Sequence, residues 1–149
     1  HMLLTEHVPD AVDLAARLDD ASDPLNHDPA LLQRVLDRVA TALARLHEGG
    51  LVHRDVHARN ILVRIDPEPA VAFLDCRRGG PPTRRRPAIR DLATLQLDLE
   101  TRVPDAAWVD LVRVYGGGDG GLETLLARIR RERDALARRL QRRGRPLRR

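Results

Sequence analysis

Apolar positions recur along this chain with two different periods, and those periods divide it into elements. The clearest run lies over residues 30–48. Leu32, Val35, Leu36, Val39, Leu43 and Leu46 are spaced by threes and fours, which builds one apolar face on a helix. Asp28 and Pro29 in front of it are a good N-cap and first-turn pair, and Gly49-Gly50 behind it is a natural stop. Such a helix is roughly 28 Å long, about the width of a small domain. Residues 90–101, with Leu92, Leu95 and Leu99 apolar, predict another helix, and residues 105–115 a further one. Residues 122–143 predict a long last helix with Leu122, Leu125, Leu126, Ile129, Leu136 and Leu140 on one side. Residues 10–18 predict a short helix with Asp10 as N-cap.

Other apolar runs are too short for helices. Residues 3–8, LLTEHV, predict a strand ended by Pro9. Ile61–Ile65 and Val71–Leu74, separated by DPEP, predict two strands joined by a turn. Residues 19–29, 77–87 and 116–121 are polar or rich in Gly and Pro, and predict loops. The expected fold is mainly α with a small β hairpin near its middle, and there is no internal repeat.

Composition refines this picture in a few respects. The chain has 149 residues, enough for one compact domain with a real core. Phe73, Trp108 and Tyr115 are its only aromatic residues, so that core must be built from Leu, Val, Ile and Ala. No apolar run approaches the roughly 18 residues of a membrane span, and no signal-peptide pattern opens the chain. With the single Cys76, which cannot pair internally and reads as a small buried residue, these features predict a reducing, cytoplasmic setting. His1-Met2 reads as a remnant of tag removal, outside the fold.

Charge is uneven. The 26 basic residues are all arginine. Residues 128–149 hold 11 of them against Glu132 and Asp134, a net of +9, while the other 127 residues sum to −5. A basic tail points to an anionic partner such as a membrane surface or a nucleic acid, or else to a solvated helix end. For nucleic acid, aromatic stacking residues are expected among the arginines, and residues 122–149 contain none.

The chemistry is concentrated in LVHRDVHARNILV, residues 51–63. Two histidines, two arginines, an aspartate and an asparagine stand between two apolar segments. Asp55 and Asn60 are followed by Asp75, just past the second predicted strand. If the strands form a hairpin, the residues flanking it lie together, which places Asn60 beside Asp75. An amide oxygen and a carboxylate suit Mg²⁺, which prefers oxygen ligands. Asp55 on the same loop is free to accept a proton from a hydroxyl. These are the parts of a phosphoryl-transfer site. His57 reads as a satisfied loop histidine, and Arg59 equally as a surface charge.

His53-Arg54-Asp55-x4-Asn60 resembles the catalytic loop of the protein-kinase fold, and Leu74-Asp75-Cys76 stands where its metal-binding DFG element stands. The resemblance covers most of residues 3–101. It implies a C-terminal lobe of that fold, over 9–121, preceded by a hinge strand at 3–8; residues 122–149 are its Arg-rich final helix and tail, and the N-terminal lobe is absent. It also implies roles: Asp55 as base, Asn60 and Asp75 as Mg²⁺ ligands, and the backbones of Glu6 and Val8 on adenine. Thr5 would be the gatekeeper and Leu62 would lie under the ring. His53, Arg54 and Asp91 would be structural, Asp91 bracing the loop. Only 16 positions separate Asp75 from Asp91, with no APE-like anchor for a peptide substrate. That short segment, the Asp-Val-His start of the loop and the Arg-rich helix look most like the Kdo/WaaP-type lipopolysaccharide kinases.

What this resemblance implies is an ATP- and Mg²⁺-dependent kinase acting on a sugar or lipid-linked sugar, cytoplasmic and peripheral at the inner membrane face. The alternative is a non-catalytic kinase-like binding or regulatory module. Kinases hold the α- and β-phosphates with a lysine under a Gly-rich loop; no lysine is present, and GGGDGG at 116–121 comes too late in the chain to be that loop. An isolated lobe should therefore bind ATP poorly, and its exposed hinge surface should be covered by an N-lobe or by self-association.

Overall fold

In the computed structural model, residues 9–84 and 87–142 are described. The predicted strand at 3–8, with Thr5, Glu6 and Val8, lies outside them, as does the tail from residue 143.

Five helices and a three-stranded sheet make up the described chain. Helix α2, Pro29–Glu48, is the axis of the core. Asp28 caps it through Oδ1, which accepts from the amides of Ala30 and Leu31, both at 2.9 Å. Leu32, Val35, Leu36, Val39, Ala40 and Leu43 are buried along it. Gly49 ends the helix, and Gly50 follows at φ 75°, a left-handed turn that glycine takes without steric cost.

Strand β2, Ile61–Arg64, pairs antiparallel with β3, Ala70–Phe73, in the register Ile61↔Phe73 to Arg64↔Ala70. Ile61 and Val63 point into the core, and Leu62 and Arg64, half-buried, point the other way, as the strand period requires. The hairpin therefore forms, but it is not alone. Strand β1, Val12–Asp13, pairs with the free edge of β2, Val12 opposite Val63 and Asp13 opposite Leu62. The helix expected over 10–18 is shortened for this reason: α1 spans Leu14–Asp19, and Asp13, not Asp10, caps it by accepting from the Ala16 amide at 2.8 Å. Asp10 sits at φ 58° in the turn before the strand. An unpaired strand edge is a hydrogen-bonding template, and it competes with the local helical preference of residues 12–13. The loop over 19–29 also contains a 3-10 turn, Pro24–Asn26, capped by Asp23.

Helix α3, Ile89–Leu99, buries Leu92, Leu95 and Leu99. Helix α4, Asp105–Tyr115, packs against α2 through Trp108, Leu111 and Val112. Helix α5, Leu122–Arg142, lies on α3. Of its predicted apolar face only Ile129 is fully buried; Leu122, Leu125, Leu126 and Leu136 are half-buried against the core. Among the described residues no helix is long and apolar enough to cross a membrane.

Candidate active site

The polar loop 53–60 runs from the end of α2 to the start of β2, and it is held from below by helix α3. Asp91, in the first turn of α3, is 2% exposed. Its carboxylate accepts the backbone amide of His53 on Oδ2 at 2.7 Å and that of Arg54 on Oδ1 at 2.8 Å. His47, in the last turn of α2, donates its Nε2–H to Asp91 Oδ2 at 3.1 Å. With that proton on Nε2, His47 Nδ1 accepts from the Tyr115 hydroxyl at 2.8 Å. Burial raises the Tyr115 phenol above its usual range, and the Asp91 charge adds to the effect. A carboxylate buried without donors would be costly; three donors converge here.

This bracing holds an unfavourable backbone. Arg54 has φ 72°, in the left-handed region that non-glycine residues rarely enter. Strained positions of this kind persist where the surroundings over-determine them, and they gather at functional sites. The Arg54 guanidinium donates to the Pro81 carbonyl at 2.9 Å, and Val52 forms an isolated antiparallel bridge with Gly80. Thus the segment after Asp75 is tied back to the entrance of the loop. The His53 ring is fully buried, edge-on to Phe73, and its Nδ1 accepts from the Asp55 amide at 3.3 Å.

Asp55 and Asn60 meet directly. Asn60 Nδ2 donates to the Asp55 carbonyl at 2.9 Å and to Asp55 Oδ2 at 3.2 Å. The loop between them is closed by the Asn60 amide donating to the His57 carbonyl at 2.8 Å. Both amide hydrogens of Asn60 are committed to Asp55, so its Oδ1 is the atom turned to any further ligand. Asp55 is about one-third exposed, with 35% of its side chain accessible, so its carboxylate can be reached from solvent. His57 Nε2 lies 3.4 Å from Asp55 Oδ1.

Asp75 follows the hairpin. The Leu74 amide donates to the Asn60 carbonyl at 2.8 Å, so pairing continues to the residue before it. Asp75 then turns left-handed, φ 57° and ψ 40°, and is exposed at the same end of the sheet as Asn60. Left-handed backbone is tolerated by aspartate better than by most residues. Cys76, expected to be buried, is instead exposed, because it opens the short turn Cys76–Arg78 that carries the chain off the sheet. Partial desolvation raises its thiol above the ordinary range, and Asp91 adds to this. Leu62 lies on the sheet face turned away from Ile61 and Val63. Leu74, just past β3, is an exposed large apolar residue; Val12 is another, on β1 across the sheet.

Three contributors to this site went unread in the sequence: His47, its partner Tyr115, and Asp98. His47 falls at i+4 from Leu43, on the apolar face of α2, and a histidine there invites a buried partner. Asp98 stands seven residues after Asp91 on α3, two turns on and on the same face.

The comparisons with known proteins bear on this arrangement. The model of the Lipopolysaccharide kinase (Kdo/WaaP) family matches residues 1–115, ending before α5. No curated protein matches the chain. A solved structure described as WaaP in complex with acyl carrier protein superposes with a TM-score of 0.69 at 22% identity. The superposition covers 87% of this chain and 59% of that one. At that identity the likeness speaks for the fold, which is kinase-like.

Proposed function

The chain belongs to the lipopolysaccharide kinase (Kdo/WaaP) family, and we propose that it is the catalytic lobe of an ATP-dependent phosphotransferase acting on a hydroxyl of a sugar or lipid-linked sugar, such as a lipopolysaccharide core. The observation that carries this reading is the Asp55–Asn60 pair. One residue presents a reachable carboxylate, and the other holds that carboxylate through its Nδ2, which leaves its amide oxygen for a further ligand.

In phosphoryl transfer the protein supplies position and charge more than covalent chemistry. Asp55 would accept a hydrogen bond from the acceptor hydroxyl and take its proton as the oxygen attacks the γ-phosphorus and the bond from that phosphorus to the β–γ bridging oxygen breaks, releasing ADP. Asn60 restricts the Asp55 rotamer by bonding both its carbonyl and its carboxylate. Asp91 fixes the backbone at His53 and Arg54, so the turn that presents Asp55 cannot relax. The donor set fits Mg²⁺: Asn60 Oδ1 and the Asp75 carboxylate are hard oxygens at one end of the sheet, and Mg²⁺ commonly takes one or two protein oxygens beside phosphates and water. Bound there, the ion would neutralise phosphate charge. The cation that kinases bring to the α- and β-phosphates from a lysine has no counterpart among these 149 residues, which contain none. The described lobe taken alone therefore binds nucleotide weakly.

The surface around half-buried Leu62 and exposed Leu74 is where an N-terminal lobe, or a second copy, would sit. Helix α5, with Arg128, Arg130, Arg131, Arg138, Arg139 and Arg142 exposed, suits an anionic membrane surface, which would place the protein on the cytoplasmic side of the inner membrane next to a lipid-linked acceptor.

The test is phosphate transfer from ATP to a lipid-linked sugar by the full natural protein, with two variants that fail differently. Asp55→Ala should keep Mg-ATP affinity near the parent value and lower turnover by about 10²–10⁴-fold, the usual worth of a general base. Asp75→Ala should weaken Mg-dependent nucleotide binding in calorimetry as well as turnover. Full activity in Asp55→Ala would remove Asp55 from the role of base. Absence of transfer by the parent protein, with Mg-ATP still bound, would favour the non-catalytic module.

A further inference from the structure

Asp91 and Asp98 present two carboxylates from one face of α3, and each takes hold of one end of the polar loop. Asp91 binds the amides of His53 and Arg54 at the entrance. Asp98 Oδ2 accepts the Ala58 amide at 2.6 Å, the shortest of the loop's backbone contacts to α3, past Asp55 on the exit side. The same oxygen lies 3.9 Å from His57 Nδ1, and the opposite ring nitrogen lies 3.4 Å from Asp55 Oδ1. His57 thus stands between the Asp98 and Asp55 carboxylates. Asp98 is itself held. Arg102 NH1 donates to Asp98 Oδ1 at 3.0 Å and to its carbonyl at 2.9 Å. Arg102 also forks onto Asp19 at the end of α1, at 2.9 and 3.1 Å.

We propose that Asp98 is a positioning residue for phosphoryl transfer, a second brace that sets the direction of the Asp55 carboxylate through Ala58 and His57. The proposal rests on the reading of Asp55 as the base. Its physical basis is that the entrance brace alone fixes only the backbone before Asp55. The side chain then has a neighbour at each oxygen, Asn60 bonded to Oδ2 and His57 3.4 Å from Oδ1, and both belong to the segment that Asp98 anchors. A charge-assisted bond from a backbone amide is short and about twice as strong as a neutral one. Removing it lets the turn 56–60 shift, and a displacement near 1 Å at a reacting group can cost about 10²-fold in rate.

Two substitutions separate charge from shape. Asp98→Ala removes the acceptor for Ala58 and the neighbour of His57. Asp98→Asn keeps an oxygen for Ala58 and loses the charge, and it serves as the decisive variant if the alanine form does not fold. Glu100→Ala is the control: it breaks the Arg133 pair at the C-cap of α3, away from the loop. In the full natural protein, kcat should fall about 10²-fold in Asp98→Ala and less in Asp98→Asn, with the KM for Mg-ATP unmoved in both. Glu100→Ala should keep both constants. In parallel, hydrogen exchange at the Ala58 amide, followed by NMR, should quicken in Asp98→Ala and stay slow in Glu100→Ala. Parent-like kcat in both Asp98 variants would overturn the proposal. So would Ala58 exchange no faster in the Asp98 variants than in the control, a result that stands whether or not the protein proves to be a kinase. A fully active Asp55→Ala enzyme would instead strike at the base itself.

Discussion

Asp91 shows what a single residue does in this molecule. It is a buried carboxylate whose partners are two backbone amides and a histidine from another helix. Replacing it by alanine leaves the His53 and Arg54 amides without their acceptor, next to a left-handed Arg54 that nothing else restrains in the same way. An unsatisfied buried donor costs about 1–3 kcal/mol. Asp91→Ala is therefore expected to lower unfolding stability by at least that much in urea titration. Asp91→Asn should cost less, since one oxygen remains. Equal stability of Asp91→Ala and the parent protein would show that the loop is held elsewhere. The sequence resemblance pointed to Asp91 as a brace, because it opens the helix predicted over 90–101, where the resembled fold keeps its bracing aspartate. It could not point to His47 or Tyr115, which lie 44 and 24 residues from Asp91 along the chain and meet it only after α2 and α4 have packed.

At the level of elements, α5 is the helix that buries the fewest side chains completely. It carries a dense charge pattern and only one fully buried side chain, Ile129. Two ion pairs, Arg133 with Glu100 and Arg90 with Glu132, join it to α3. Both are partly exposed, and exposed pairs contribute about 0–1 kcal/mol. Apolar contact must then supply most of the docking. Ile129→Ala should destabilise the fold by about 2–5 kcal/mol, measured by chemical denaturation. Arg133→Ala should cost no more than about 1 kcal/mol. If the two losses are equal, charge rather than burial holds the helix. The period of α5 was plain in the sequence, but how much of its apolar face would be covered was not, because coverage depends on where α3 lies.

For the whole molecule, two surfaces decide how it meets its surroundings. The first is basic. With 11 arginines among its last 22 residues, the chain is expected to bind vesicles containing anionic lipid and to leave neutral ones unbound. Binding should weaken steeply with added salt, as exposed charge is screened over about 8–10 Å near physiological ionic strength. Co-sedimentation with vesicles at several salt concentrations measures this; binding that persists at high salt would mean an apolar contact instead. The second surface is the outer sheet face, where Leu62 is half-buried and Leu74 is 40% exposed. Apolar patches of this sort are commonly covered by association. Sedimentation of the isolated lobe should show dimers as concentration rises, and a clean monomer at high concentration would argue that the patch is tolerated in water.

What the sequence determined by itself was whatever is encoded within a few residues. The spacing of Leu and Val set α2, α3 and α4, and Asp28, Pro29 and Gly49 set where α2 begins and ends, because caps and periodicity are local physics. The two short apolar runs around DPEP determined the hairpin, and the hairpin in turn brought Asn60 and Asp75 to the same end of the sheet. Only the tertiary structure decided what lies across long separations. It made Val12–Asp13 a third strand, because an open sheet edge outweighs a weak helical preference. It exposed Cys76, because the chain must turn off the sheet there. It also placed His47, Tyr115 and Asp98 around the loop, because helices α2, α3 and α4 approach one another only once their apolar faces are buried together.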